Sequence, residues 1–590
     1  MITTHQLPAE AFAALASGDG NPAVVRHLGE VQRSKHLMLL HAIAAEAETV
    51  HPGSRETAAV RESLDLLRAV QVADPDTLAW LFGLPHIGAW THDCLERRTQ
   101  GLRPDFGYLA AAAAAAAVRA RIRFELDVPV RDGRVLFPGL GYFHGFDRDS
   151  SVRLRGDGVR LTVGAITEGQ CTDLMPEDDS GGSVPHWQGT HVVRATAAGR
   201  TWTVLLETTD QCLNRFALPM AALTAEEITS WRSRLQSAWE VLVRHHGWVA
   251  DSIAAGVSVI VPLAAGSDTD LDSATTPAAF GAIAASLPSD PVLMAEILVH
   301  EFQHIKLSGL QDMVSLTTPC DKRVYAPWRP DPRPVGGLLQ GVYAYLGIAR
   351  FWDAQRHVET GPDDIFRAQV TFERSRSMIE SATATLLRTD CLTSTGTRFV
   401  STLRDKGKRL GAATVPANVR AIAREATLDH WLTWQLRHAA IDATTVAQLA
   451  AAYQDGEPLS GLALPEVRIE EERRKVAAAT RSRVLNMRFL EPQRYRELRE
   501  AGMPELSEAE RFLISGQTSM AVQSYRDEIS VSREPLPEAW TGLALSIHLL
   551  AETPLLSAFA TRLPLMVDLH ACLLAQGVMS DPLELAAWLA

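Results

Sequence analysis

Cysteine is scarce and scattered in this 590-residue chain. Its six residues are Cys94, Cys171, Cys212, Cys320, Cys391 and Cys572, and the closest pair in sequence, Cys171 and Cys212, is 41 positions apart. That spacing excludes a CxxC zinc ribbon, an iron–sulfur run and a dense disulfide framework, and it leads us to expect a reducing, cytoplasmic setting. Positive charge is also in deficit. With 57 Lys and Arg against 70 Asp and Glu the net charge is -13, so the chain has no global electrostatic footprint for nucleic acid. Long hydrophobic runs are missing too. The longest, Tyr108 to Val118, falls well short of the ~20 residues that cross a bilayer, and residues 1–10 lack the basic stretch and apolar core of a secretion signal. No membrane partner is expected.

What is present is the balance of a folded protein, 46% hydrophobic and 22% charged, at a length worth roughly four domains. Periodicity predicts an α+β chain that is mostly α. Residues 1–121 read as helical, because apolar side chains recur at three and four, as in Leu37, Leu40 and Ile43. The eight alanines Ala110 to Ala117 read as a tightly packed helix. Residues 122–222 read as a small β-meander. It opens with a hairpin whose arms are Ile122–Val130 and Val135–Phe137, and strands follow at Val152–Leu154, Val159–Val163, Val192–Thr196 and Thr201–Leu206. A mobile loop is expected around Asp178–Ser183 and Pro185. Residues 223–455 form the region with chemistry. Its helix Ala225–His245 is capped by Thr224, its strand Gly256–Leu263 is buried, and its apolar segment Ala278–Ser286 is a candidate edge strand above a metal. Residues 456–590 read as helical, with a linker at Gly456–Pro465, a charge-rich helix at Glu466–Arg483 and a TPR-like tail around Ala539–Ala544.

One motif is sharp. His300-Glu301-Phe302-Gln303-His304 is an HExxH pattern inside a helix-compatible apolar run, Ala295 to Leu310. On a helix a four-residue step returns the side chain to within ~40° and about 6 Å along the axis, so both imidazoles can meet one cation. Glu301 is the candidate catalytic carboxylate, able to act on a bound water or to hold a ligand by a hydrogen bond. This zincin-like helix supplies two ligands, and an open site wants a third. The residues after His304 are not HxxGxxH, and the next predicted helix, Gly336–Ala354, contains no Glu; its candidates are Gln340 and Asp353. Between the two helices runs a rigid connector rich in Arg and Pro, Arg323 to Pro334, whose guanidinium groups can clamp a carboxylate. Arg374 and Arg376, on the following helix, are further candidates for that task.

Taken in order, LVHEFQHIKLSGLQDMV, YAPWRPDPRP and GLLQGVYAYLGIARFW resemble an HExxH family associated with ribosomally made, post-translationally modified peptides. The same domain occurs fused behind FxsB-type radical-SAM maturases. The resemblance implies a peptide β-hydroxylase that uses iron(II), 2-oxoglutarate and O2, with His300, His304 and Gln340 as metal ligands and Arg333 and Arg374 at the cosubstrate carboxylate. Asp353, a water or Glu301 itself are the alternatives for the third ligand. No CxxxCxxC can be written from the six cysteines, so the implied protein is a stand-alone hydroxylase acting on a precursor peptide, paired with a separate maturase. HExxH alone favours a zinc metallopeptidase with Glu301 as general base, and the helical ends permit a non-enzymatic peptide-binding scaffold.

Overall fold

The structure is a computed structural model describing residues 5–50, 53–148, 150–164, 167–174, 184–215, 219–264, 272–410, 414–460, 464–474, 476, 480–550 and 555–590. The expected mobile loop at 178–183 and part of the linker at 456–465 lie outside the described residues. Helix accounts for 61% of the chain and strand for 12%, so the α+β, mostly α class holds. Among the described residues, no helix is long and apolar enough to cross a membrane. The chain forms two compact units, Met1–Ser315 and Leu316–Ala590. This grouping differs from the four-part division read from sequence. Boundaries at 121/122 and 222/223 fall inside the first unit, and the 223–455 region divides after Ser315.

The first unit opens with six helices. The alanine run is the heart of the last of these, Gly107–Arg119, and every residue from Tyr108 to Val118 is buried. Small side chains let helix Arg55–Ala73 and the strand Arg123–Pro129 approach its backbone closely. The turn Arg131–Arg134 forms as expected, with Asp132 and Gly133 both at positive φ (49° and 74°) and reciprocal backbone hydrogen bonds between Arg131 and Arg134. Its arms, however, do not form the predicted hairpin. Arg123–Pro129 pairs antiparallel with Ser151–Asp157, placing Leu126 opposite Leu154, while Arg134–Phe137 pairs with Gly141–His144. Two sheets result, one of four strands and one of three, in which each arm pairs with a strand of its own length, seven residues with seven and four with four.

The remaining strands of the unit build a five-stranded sheet in the order Ser273–Ala274, Ala282–Ala285, Val259–Pro262, Arg200–Leu206, His191–Ala197. The three inner strands run parallel and the two outer ones antiparallel to their neighbours. Val259–Pro262 and Ala282–Ala285 are buried throughout, as parallel strands covered on both faces must be. This sheet is why no boundary falls at residue 222: strands on either side of it share one ladder. The expected edge strand also moves. Ala282–Ala285 is interior, and Ser273–Ala274 takes the edge beside it. Helix Ala225–His245 carries the predicted cap as a full capping box, in which Thr224 Oγ1 accepts from the Glu227 N–H at 3.3 Å and the Glu227 carboxylate accepts from the Thr224 N–H at 2.7 Å.

The second unit begins with Leu316, continues through the hairpin Arg323–Val324/Arg333–Pro334, and is otherwise helical apart from one short strand pair. Helix Val335–Gln355 lies against Pro362–Arg388, and Gly341 admits the indole of Trp328, which would sit 2.2 Å from a Cβ at that position. Two readings from sequence are corrected here. Cys320 and Cys391, 71 positions apart, form a disulfide with S–S 2.00 Å, brought together where Thr317 bridges Leu392. One disulfide is not the dense framework that the spacing excludes, though the reducing setting expected from sequence did not foresee it. The charge-rich stretch beginning at Glu466 is not helical in its described residues 466–474 and 476, and helix begins only at Thr480. Arg468–Ile469 is a strand against Ala439–Ala440, and Arg473 and Arg474 satisfy the last carbonyls of helix Ala417–His438 while both pair with Asp568. Those carbonyls, together with the acid, pull the segment out of a helix. The tail is a set of helical pairs, in which Gly542 lies directly under the ring of Tyr525.

His36 links two of the front helices. It is buried, its Nδ1 lies 2.9 Å from the Phe82 carbonyl, and burial pushes its pKa down to about 4. An unfolded chain protonates this group below pH ~6.5 while the folded one resists until about 4, so its contribution is intact above 6.5 and is lost as pH falls through that window. We predict that chemical denaturation will show a loss of up to roughly 3 kcal/mol between pH 6.5 and 4 attributable to His36. His36→Asn, which retains an amide donor, should flatten that part of the profile.

Candidate metal centre

The motif lies on helix Pro291–Gln311, which starts where sequence rules place a start, with Pro291 at the first turn and Asp290 Oδ1 accepting the Val292 N–H at 2.8 Å. The helix packs against strands Ala282–Ala285 and Ser273–Ala274 on one side and against helices Pro22–Val50, Ala225–His245 and Gly247–Gly256 on others. Phe302 is fully buried over Gly256, where an added Cβ would come within 2.8 Å of the ring. Lys306, also buried, is held by the Gly18 and Asp19 carbonyls at 2.9 Å each. The helix is thus fixed on nearly every side except the one that carries the histidines.

On that side His300 and His304 face each other, half-buried, with Nε2 atoms 3.2 Å apart and rings inclined at 72°. Two nitrogens at that separation, each ~2.1 Å from one cation, subtend about 100° at it, between the octahedral and tetrahedral angles. Burial, with the neighbouring imidazole adding to it, pushes the pKa of His300 down to about 3. The ring is therefore neutral at ordinary pH, the state a metal requires.

Glu301 is buried, 2% exposed, and its Oε1 lies 4.0 Å from His300 Nε2. Ser273 Oγ, on the edge strand, donates to its Oε1 at 2.7 Å, whereas Oε2 is buried with no hydrogen-bond partner. Burial raises the pKa of this carboxyl, against the opposing pull of His304 and the Ser273 and Thr275 hydroxyls. A buried carboxylate oxygen without a donor is costly, so it marks a place where a proton, a water or a cation completes the balance. The donor set fits a divalent ion bound by His300 and His304 with Glu301 alongside. Among the described residues, no group of three or more His, Cys, Asp or Glu side chains converges as a complete ligand cage.

The other candidates belong to the second unit. Gln340 lies half-buried on helix Val335–Gln355. Asp353, later on the same helix, is engaged by Arg356 at 2.8 Å. Arg333 is partly exposed and pairs with Asp331 at 3.3 Å, and Arg376 forms a salt bridge with Glu373 at 2.7 Å. Arg374 is different. Its NH1 donates to the Asn486 amide oxygen at 3.0 Å, its guanidinium stacks 5.2 Å from the Phe489 ring, and its Nε is buried without a partner. Burial lowers its pKa, and nothing acidic compensates it among the groups that shift it. Of the arginines named from sequence, this is the one whose surroundings suit a carboxylate ligand.

Set against known proteins, the chain matches no family model and no curated protein.

Ser273 and Thr275 were missed by sequence reasoning. Both lie in an unremarkable Ser/Thr-rich stretch some 26 to 28 positions before Glu301, and only the antiparallel turn of the edge strand brings them under the motif. The expected behaviour follows from the geometry. Isothermal titration of the full chain with Co(II) should show one site, lost by at least ~100-fold in His300→Ala and His304→Ala and weakened by about tenfold or less in Ser273→Ala. Unchanged affinity in both histidine variants would remove the site.

Proposed function

We propose that the protein is an iron(II)- and 2-oxoglutarate-dependent peptide β-hydroxylase acting on a ribosomally made precursor peptide. The observation that carries the reading is the facing pair of imidazoles, His300 and His304, at 3.2 Å on a fully anchored helix. The three sequence blocks that resemble the peptide-modifying family give the pair its assignment. Bound iron would supply activation of O2 at the expense of the 2-oxo acid, whose oxidative decarboxylation drives transfer of one oxygen atom to carbon.

The chain's own residues have definable tasks. His300 and His304 hold the ion through Nε2, and burial keeps His300 neutral so that it remains a donor. Glu301, pinned by Ser273, fixes the floor beneath them and balances charge beside the ion. Among the described residues the edge strand Ser273–Ala274 lies beside the motif helix with no strand on its outer side, the arrangement by which an extended peptide adds as a further strand. Arg374 of the second unit, buried beside Asn486 and Phe489, has the chemistry to hold a carboxylate. Gln340, which the resemblance implies as third ligand, and its alternative Asp353 both lie on helix Val335–Gln355 of the second unit, where Arg356 already engages Asp353.

One observation favours a zinc peptidase as the second reading: Glu301 Oε2 has no partner and the carboxyl pKa is raised, properties of a general base for a metal-bound water. The two readings part cleanly on one variant. Under anaerobic reconstitution with Fe(II), then 2-oxoglutarate, O2 and a precursor peptide, we expect a mass gain of one oxygen and stoichiometric succinate. Glu301→Gln should retain a measurable fraction of that turnover. Peptide fragments formed with Zn(II), and abolished by roughly 100-fold or more in Glu301→Gln, would overturn the hydroxylase in favour of the peptidase.

A further inference from the structure

The second unit contains a cavity of about 590 Å3 that the proposed chemistry leaves unused. Helix Pro362–Arg388 contributes a wall of hydroxyls, Ser377, Ser381 and Thr385, at a four-residue spacing that places all three on one face. Helix Ala417–His438 contributes the opposite wall through Thr427, Leu428, Trp431 and Trp434. Tyr325 forms the floor, edge-on to both tryptophans at 4.6 and 5.0 Å, and the two indoles stack 5.7 Å apart. Trp434 is buried, and its indole N–H has no acceptor.

The mouth has a single sign of charge. Arg323, Arg388 and Arg424 line it, all exposed, and among the described residues no Asp or Glu does. Among the described residues Arg388 donates to the Thr385 hydroxyl at 3.3 Å, while Arg323 donates to the Pro332 carbonyl at 3.4 Å and pairs with the highly exposed Glu471 at 3.5 Å. In a chain of net charge -13, three arginines around an aromatic cleft are a local inversion of sign. The hydroxyl wall from Ser377 to Thr385 rises about 12 Å along its helix, the length of roughly four residues of extended chain.

We propose that this cavity binds an acidic peptide segment with one bulky apolar side chain: the apolar group enters against Trp431 and Tyr325, carboxylates pair with Arg388 and Arg424, and a backbone carbonyl accepts from Trp434. The proposal rests on the reading that the protein acts on a peptide, and it names a second place, in the other unit from the motif, where that peptide is held. Charge complementarity selects this occupant over a basic or neutral one. The cavity's size is that of a small-ligand site, and its polar groups lie at the rim where a chain passes rather than in a closed box.

The test uses the full-length protein and a fluorescein-labelled peptide, Glu-Asp-Leu-Phe-Asp-Glu, read by fluorescence polarisation. Binding is expected to saturate at one site and to weaken as salt rises from about 0.05 to about 0.5 M. It should drop at least tenfold in the double variant R388E/R424E and in Trp431→Ala, both checked for an unchanged circular dichroism spectrum. The same peptide with Lys and Arg in place of the acids should not bind wild type and should gain binding to R388E/R424E. Equal binding of acidic and basic peptides, or full affinity in R388E/R424E, overturns the proposal, as does complete displacement by free glutarate at its own saturating concentration. The double variant H300A/H304A should bind the probe as wild type does. Absence of hydroxylation by the wild type with probe binding retained therefore counts against the proposed function alone, and hydroxylation without probe binding counts against the cavity alone.

Discussion

Two imidazole nitrogens 3.2 Å apart are a close approach that favours a shared ion or proton between them, and it persists only if the helix beneath cannot turn. Here the turn is prevented from several directions. Phe302 fills the space over Gly256, Gly309 lets the helix close on Leu28 and Phe280, and Lys306 is fastened to two carbonyls of the first loop. A rotation large enough to separate the rings would expose Phe302 or strand the ammonium. The precision of the pair is therefore a property of the whole first unit, which holds its functional side chains on a rigid element supported from behind.

Glu301 shows the same logic from the buried side. Position alone, one residue after His300, sends it inward by about 100°. What it becomes there depends on the edge strand, because Ser273 supplies the hydroxyl that keeps one oxygen satisfied and leaves the other without a donor. The strand is short, two residues, and antiparallel to its neighbour, so it brings side chains to the motif helix that an interior parallel strand would point into the sheet's packed faces.

What the sequence disclosed and withheld follows from this. Features that depend on near neighbours were readable: the motif and its helix, the Thr224 cap, the buried alanine helix, the turn at Asp132-Gly133, and strands such as Val259–Pro262. Features set by distant partners were not. The arms around Asp132-Gly133 belong to different sheets because residues 151–157 and 141–144 pair with them better than they pair with each other. The Glu466 stretch has the charge pattern of a solvated helix, yet it is extended, since helix Ala417–His438 offers it unsatisfied carbonyls and Asp568 offers it an acid. The disulfide and the Ser273 contact are likewise meetings across many tens of residues or across a turn whose register no local pattern specifies. Trp431 and Trp434 stand about one helical turn apart on helix Ala417–His438, and only the cavity they face sets them apart.

The anchoring of Lys306 has a consequence in time as well as in space. Its partners at Gly18 lie 288 residues upstream, so the first loop leaves the ribosome long before the ammonium that it will cradle has been made. At ~5–20 residues per second that interval is roughly a quarter of a minute to a minute. The opening segment must remain unsealed throughout, and the motif helix is among the last pieces of its unit to arrive. Assembly of this half of the protein thus closes on the very turn that carries His300 and His304.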